Sequence, residues 1–396
     1  MSNSVAPLGS LIEPAKLRRA GSGDFPILSM TMHHGLVDQG EKFKKRVASR
    51  DTSTYKIVRR GQLVVGFPID EGVLSFQDKY DEAIVSPAYE IWDVRDSKLI
   101  DRAYLERFLR SPRALAYYAG KLQGTTARRR SLPRDVFLEL PVVISELAQQ
   151  QRIVQVLDHV DALRVKRQEA VALLDGLAEA IFLDMFGDPS RNEKGWPMKK
   201  IGDLVTSANY GTSEKASGAG DLPVLRMNNI TASGRVDLGD LKYMDRATVS
   251  EKYLARSGDV LFNRTNSPEL VGKSAIYRGS DELAFAGYLI RVRVNEVNDP
   301  EYLAAFLNTR YAKRVLKGMC KSIVGMANIN ARELQGIDVA EPPLPLQIQF
   351  GERMRAVEAM RGTHRHHLDK LDALFASIQG RAFRGELWPG SAASTA

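Results

Sequence analysis

The sequence is short of almost everything that would mark an enzyme, a secreted protein or a membrane protein. It has one cysteine, Cys320, among 396 residues. That excludes a disulfide framework and any multi-cysteine zinc site, and leaves Cys320 as a small, buried or half-buried thiol. No apolar run approaches the roughly 18 residues that a membrane span needs. The N-terminus also lacks a charged start followed by an apolar stretch and a cleavage site, so the expected location is the cytoplasm, with no membrane partner. The phosphate-cradling Gly-x-x-x-x-Gly-Lys-Ser/Thr loop is missing. An Asn/Asp-Pro-Pro-aromatic loop that would hold an amino group for methylation is missing too. Its nearest approach, Ser86-Pro87-Ala88-Tyr89, has no side-chain amide or carboxylate to accept from that group.

What is present is a duplication. Ile153, Leu157, Val160, Leu174, Asp175, Leu177, Ile181 and Phe186 reappear as Phe350, Met354, Val357, Leu371, Asp372, Leu374, Ile378 and Phe383, each displaced by 197 positions. The same shift relates Phe25-Pro26-Ile27-Leu28 to Leu222-Pro223-Val224-Leu225 and Gly61-Gln62-Leu63 to Gly258-Asp259-Val260. A shift one residue longer relates Tyr104-Leu105 and Phe108-Leu109 to Tyr302-Leu303 and Phe306-Leu307. A repeat of this length is two whole units in tandem rather than a solenoid of small repeats. Such a pseudo-dimer suits a target with two halves.

Each unit reads as a mixed region followed by a long helix. Short β-rich runs punctuated by Gly and Pro, such as Phe25–Met30, Leu63–Phe67 and Ala83–Val85, precede a helix fitting Arg102 to Tyr118. In the second unit Leu222–Met227, Asp259–Phe262 and Ala284–Val294 precede a helix near Glu301–Met319. The long helices carry 4-3 apolar spacing, the pattern of a seam against another helix. The seam residues are Ile153, Leu157, Val160, Leu174, Leu177 and Ile181 in one, and Phe350, Met354, Val357, Leu371, Phe375 and Ile378 in the other. A polar stretch interrupts both, Arg164–Gln168 and Arg361–His367. The predicted fold class is therefore α+β: two tandem mixed domains separated by two long, antiparallel, coiled-coil-like helices with a pseudo-twofold internal repeat. The expected bounds are 1–145 for the first domain, 146–187 for the central helix, 188–341 for the second domain, 342–387 for the last helix and 388–396 for a disordered tail. About 36 residues of helix span about 54 Å, enough for a rod that holds two domains at a fixed separation.

The sequence resembles the specificity subunit of a type I restriction-modification enzyme. In the second unit the resemblance rests on Gly195-Trp196-Pro197 leading to Ile201-Gly202-Asp203-Leu204, on Arg256-Ser257-Gly258-Asp259-Val260-Leu261-Phe262, and on Asn266 to Lys273. It continues through Pro342-Pro343-Leu344-Pro345-Leu346-Gln347, Leu371-Asp372-Ala373-Leu374 and Arg381-Ala382-Phe383-Arg384-Gly385-Glu386-Leu387. The first unit keeps Arg60-Gly61-Gln62-Leu63-Val64 and Gln149–Val154, but has Gly66–Asp70 where the second has Asn263–Ser267. The resemblance implies a non-catalytic subunit in which each mixed region is a target-recognition domain reading one half of a split, double-stranded DNA site. It implies that the helices dock two methyltransferase subunits, that a restriction/translocase subunit joins them, and that S-adenosylmethionine, ATP and Mg belong to those partners rather than to this chain.

A formal charge of +8 is compatible with a nucleic-acid partner, though ribosome-associated and membrane-surface proteins share it. Basic residues able to neutralise phosphates are Lys44, Lys45 and Arg46, then Arg128, Arg129 and Arg130, in the first unit. In the second they are Arg226, Arg264, Lys273 and Lys321. Base-reading candidates are Tyr210, Asn228, Asn229, Arg264 and Asn266, with Arg46, Phe67 and Asp70 in the first unit; Asn228 and Asn229 could instead cap a turn. Asp70, Glu71, Asp78, Asp81 and Glu82 read as solvated turn carboxylates, and His364, His366 and His367 as a solvated helix face, rather than as metal sites. Two other functions compete with recognition. One is a self-sufficient methyltransferase or nuclease with its own recognition domains; the other is a helical protein–protein scaffold with incidental charge.

Overall fold

The structure, a computed structural model, describes residues 4–32, 34–42, 51–123, 132–267, 269–320 and 327–387. The chain forms two compact units. Unit 1 takes in Met1–Lys166 and Leu368–Ala396, and unit 2 takes in Arg167–His367.

In unit 1 the central sheet has four antiparallel strands in the order Ile12–Pro14, Glu90–Val94, Leu63–Val65 and Leu74–Phe76, with Leu63 opposite Trp92. Short two-stranded pairs surround it, among them Lys56–Arg59 with Glu82–Val85 and Ser4–Pro7 with Pro141–Ile144. In unit 2 the matching sheet runs Val205–Tyr210, Leu289–Val294, Val260–Asn263 and Ser274–Ile276, with Val260 opposite Val292. A second four-stranded sheet, Lys242–Met244, Leu222–Leu225, Leu283–Phe285 and Leu254–Ala255, has one parallel pairing and no four-stranded counterpart among the described residues of unit 1.

Behind each matched sheet lies a pair of short helices where the sequence suggested a single one. In unit 1 these are Arg102–Leu109 and Pro112–Lys121. Proline has no amide hydrogen and disfavours a helical residue before it, so the chain stops at Arg110 and restarts with Ser111 as cap. Unit 2 breaks at the matched place without a proline, between Pro300–Asn308 and Arg310–Met319. There the Thr309 hydroxyl accepts from Ala312 N at 3.1 Å and begins a new helix. Asp101 and Asp299 cap the first helix of each pair.

The two long helices are Leu147–Phe186, 40 residues, and Leu344–Ala382, 39 residues. At 1.5 Å per residue each is about 60 Å long. Each unit holds part of both, and within each unit the parts run antiparallel. Unit 1 buries Ile153 and Leu157 with Ala382 and Phe383 around Trp92, Tyr104 and Phe108. Unit 2 buries Leu174, Phe182, Met185 and Phe186 with Phe350, Met354 and Val357 around Tyr302 and Phe306. The aromatic contacts match: Phe383 meets Tyr104 edge-on at 5.5 Å in unit 1, and Phe186 meets Tyr302 edge-on at 4.8 Å in unit 2.

Most of the expected seam is buried. Ile153, Leu157, Val160, Leu174, Phe350, Met354 and Val357 are buried, while Ile181, Leu371, Phe375 and Ile378 are partly so. Leu177 departs from it at 41% exposed, because Ala178 instead packs on the core one residue along.

The repeat extends to individual hydrogen bonds. Gln150 is fully buried: its amide nitrogen donates to Leu99 O and Ser145 O, and its oxygen accepts from Asp101 N. Gln347, 197 positions on, donates to Pro342 O and Asn298 Oδ1 and accepts from Asp299 N. Tyr104 donates to Val143 O at 2.9 Å and Tyr302 to Ala340 O at 2.6 Å. Burial pushes both phenols far above their ordinary range. Along the helices, Arg164 bonds Asp372 at 2.5 Å and Asp161 at 2.7 Å in unit 1. In unit 2 Arg361 faces Asp175 at 3.5 Å and Glu358 at 3.6 Å.

Candidate nucleic-acid interface

In unit 2 the candidate side chains gather at one end of the strand Val260–Asn263. Asn263 is wholly buried, and its amide donates to Met227 O at 3.3 Å, tying the strand end to the turn Met227–Asn229. The chain then leaves the sheet through Arg264. Its amide donates to Tyr288 O at 3.0 Å and its carbonyl accepts from Ile329 N at 2.9 Å, so the backbone is held from both sides. The guanidinium lies over the Tyr210 ring, 4.9 Å from the centroid. Tyr210 is itself fixed, since its hydroxyl accepts from Ala331 N at 2.9 Å.

Beyond Arg264, Thr265–Asn266 pairs with Ala327–Asn328, and the Asn266 side chain accepts from Ser267 N. Lys273 returns the chain to the sheet. It donates to Met227 O at 3.2 Å, and partial burial pulls its pKa below the ordinary lysine value. Lys313 supports the same loop from beneath by donating to Gly272 O. Burial, reinforced by nearby Lys273, lowers its pKa to about 8. Gly272 has φ +77°, and a Cβ there would lie 2.6 Å from Leu316 Cδ1, so both backbone and packing require glycine.

Tyr210, Arg264, Asn266 and Lys273 are therefore brought together, with exposed Asn228 on the adjoining turn. Two other candidates are occupied locally. Asn229 is buried, donates to Asp237 O and Asp240 O and accepts from Arg226 N, which is the turn-capping alternative. Arg226 donates to Asp240 O and Oδ2 at 2.9 Å. Sequence reasoning missed Asn263, Tyr288 and Lys313. Tyr288, 53% exposed, had a local signal in Gly287, which marks a turn before a strand. Lys313 had none, because its role depends on a helix packing beneath a distant loop.

In unit 1 the matched strand, Leu63–Val65, ends at Gly66, and Phe67 projects from it 61% exposed. Its ring lies 6.1 Å from that of Tyr89. Asp70 follows in the short turn Ile69–Glu71. The nearby acidic residues are partnered: Asp78 with Arg102 at 3.2 Å, Asp81 with Arg60 at 3.1 Å, and Glu82 with Arg18. Lys44, Lys45, Arg46, Arg128, Arg129, Arg130 and Lys321 lie outside the described residues.

Among the described residues no group of three or more His, Cys, Asp or Glu is placed to hold a metal, and no helix is long and apolar enough to cross a membrane. His364 Nδ1 instead lies 2.9 Å from Arg167. Cys320 is half-buried and donates to Leu316 O, and burial pushes its thiol above the usual pKa.

Residues 193–372 match the family described as type I restriction modification DNA specificity domain. The chain is 26% identical over 321 residues to the type I restriction enzyme EcoKI specificity subunit of Escherichia coli K12, covering 74% of this chain and 67% of that one. It is 22% identical over 316 residues to the StySPI specificity subunit of Salmonella potsdam, with the same coverage. Among solved structures it superposes on a chain from a study of complex assembly and conformational transition of the type I R-M system, at TM-score 0.59, 17% identity and 98% coverage of both. It also superposes on the type I restriction-modification S subunit of M. genitalium, at TM-score 0.56 and 12% identity, covering 98% of this chain and 96% of that one. Residues 193–372 thus match a type I restriction modification DNA specificity domain, and over nearly its whole length the chain shares the fold of these two solved structures.

Proposed function

We propose that the chain selects a bipartite DNA site, one half per unit, for methyltransferase subunits docked on its long helices. The observation that carries this reading is the combination of a repeated framework with unrepeated tips. Gln150 and Gln347, and Tyr104 and Tyr302, make equivalent hydrogen bonds, and Arg164 and Arg361 face equivalent carboxylates. At the matched strand ends, by contrast, one unit offers Phe67 and the other Arg264. Equivalent scaffolds with unlike tips suit two half-sites of unlike sequence, because base edges in the major groove are distinguished by donor, acceptor and methyl pattern.

Docking of two partner copies is supported by apolar residues that remain exposed in repeat-related positions. Unit 1 exposes Leu163 and Leu374; unit 2 exposes their counterparts Met360 and Leu177. The chemistry is brought by the partners: S-adenosylmethionine with the methyltransferase subunits, ATP and Mg with a restriction subunit.

Methylome sequencing of a host carrying this chain and its neighbouring methyltransferase, against the same host without the chain, tests the proposal. A split, asymmetric motif that vanishes on deletion supports it; an unchanged methylome overturns it. Binding of the purified chain to DNA should also weaken steeply as salt rises, since phosphate contacts release counterions. Weak binding with little salt dependence would favour a scaffold.

A further inference from the structure

We infer that Arg264 reads a guanine in the half-site recognised by unit 2. The inference rests on the recognition function just proposed and adds the base and the side chain. Nearly every other basic side chain around this sheet is already engaged. Arg226 pairs with Asp240, Arg246 with Glu282, Arg278 with Glu301 and Arg293 with Asp259. Lys273 and Lys313 are tied to backbone carbonyls. Arg264 differs from them in that, among the described residues, its guanidinium has no carboxylate within ion-pair distance and no hydrogen-bond acceptor; its Nε, like that of Arg226, is buried without a partner.

The same residue is rigidly placed. Both backbone polar groups are bonded to other segments, to Tyr288 and to Ile329, and the fork lies over a tyrosine whose own hydroxyl is bonded. A planar donor fork with fixed direction and unused hydrogens is complementary to two acceptors side by side, the arrangement that guanine O6 and N7 present in the major groove. A phosphate contact asks less of the side chain, because charge alone suffices and a freely moving lysine serves as well. The matched position in unit 1, Phe67, has no polar side-chain atom, so guanine reading at this place belongs to unit 2 alone.

The test uses the full chain with its methyltransferase subunit. Once the wild-type motif is known from the methylome, the Arg264→Gln and Arg264→Lys variants are sequenced in the same host. Their folding is checked by thermal melting, and Phe67→Ala serves as a control at the other tip. The expected result is loss of a guanine requirement at one position of one half-site in Arg264→Gln and a weaker requirement in Arg264→Lys, with the other half-site unchanged and Phe67→Ala leaving that guanine intact. In vitro, replacing that guanine by 7-deazaguanine, which removes N7, should weaken wild-type binding and leave Arg264→Gln binding unaffected. The discrimination expected of a bidentate arginine–guanine pair is about 5- to 140-fold.

Uniform weakening on every sequence with a shallower salt slope assigns Arg264 to phosphate, and full guanine selectivity in Arg264→Gln shows that another group reads the base; either result overturns the inference. A split motif with no guanine dependence on residue 264 overturns it alone. Absence of any split motif overturns the proposed function with it.

Discussion

Lys313 shows how one residue ties the loop around Gly272 to pH. Its ammonium is held under the Gly272 carbonyl with a pKa of about 8 against an ordinary 10.5. Between those values the folded protein binds fewer protons at this site than the unfolded chain, so stability should rise with pH across that window; below about pH 8 the cost of burying the charge is fully present. Melting from pH 7.5 to 10.5 should show this rise in wild type and lose it in Lys313→Met; equal profiles would mean the site is better solvated than its surroundings indicate. Gln347 makes a second prediction. Its substitution by leucine strands Asp299 N, Pro342 O and Asn298 Oδ1, and a cost of about 3 kcal/mol is expected from a urea midpoint. Before the structure, residues like these were the least legible part of the chain. Arg264, Tyr210 and Asn266 could be named as candidates by type, but that Asn229 closes a turn while Arg264 keeps an unused fork depends on where Asp240 and Ile329 arrive from distant sequence.

At the scale of elements the sequence was more informative. The 4-3 spacing located both long helices, and the Gly- and Pro-punctuated runs located Leu63–Val65, Val260–Asn263 and Leu289–Val294 within the matched sheets, because periodicity reports the buried face directly. It failed where capping overrode periodicity. The apolar pattern continues through Ser111 and Thr309, yet each hydroxyl accepts from an amide three residues on and starts a new helix. Thr309→Ala should cost about 1 kcal/mol, read as a lowered melting temperature, and Thr309→Ser should restore most of it. If Thr309→Ala is neutral, packing of Ala312 and Leu316 rather than the cap defines the break. The second sheet of unit 2 was foreshadowed by Leu222–Met227 and the start of Ala284–Val294, but their parallel pairing, between Leu222–Leu225 and Leu283–Phe285, joins segments some sixty residues apart.

For the molecule as a whole, each long helix passes unbroken from one unit into the other. Inserting four residues into the polar stretch Arg164–Gln168 adds about 6 Å of rise. It is expected to change the gap preferred in the methylated motif or to abolish methylation; the same motif at the same efficiency would show that the helices do not set the gap. The duplication legible in the sequence explains why the two helices can be treated alike. Asp161, Arg164 and Asp372 in unit 1 are repeated as Glu358, Arg361 and Asp175 in unit 2.

That repeated ion-pair set also carries a record of descent. Arg164 from the first half of the chain meets Asp372 from the second, and Arg361 from the second meets Asp175 from the first. A half-length ancestor bearing one arginine and one aspartate at these places already held everything needed to join a copy of itself, and fusion of two such genes would reproduce both contacts without a new residue. The halves differ at the matched positions Phe67 and Arg264 and keep these contacts. Exchanging one half for a relative's at the long helices would therefore leave both ion pairs available, and on the proposed reading it would change one half-site alone.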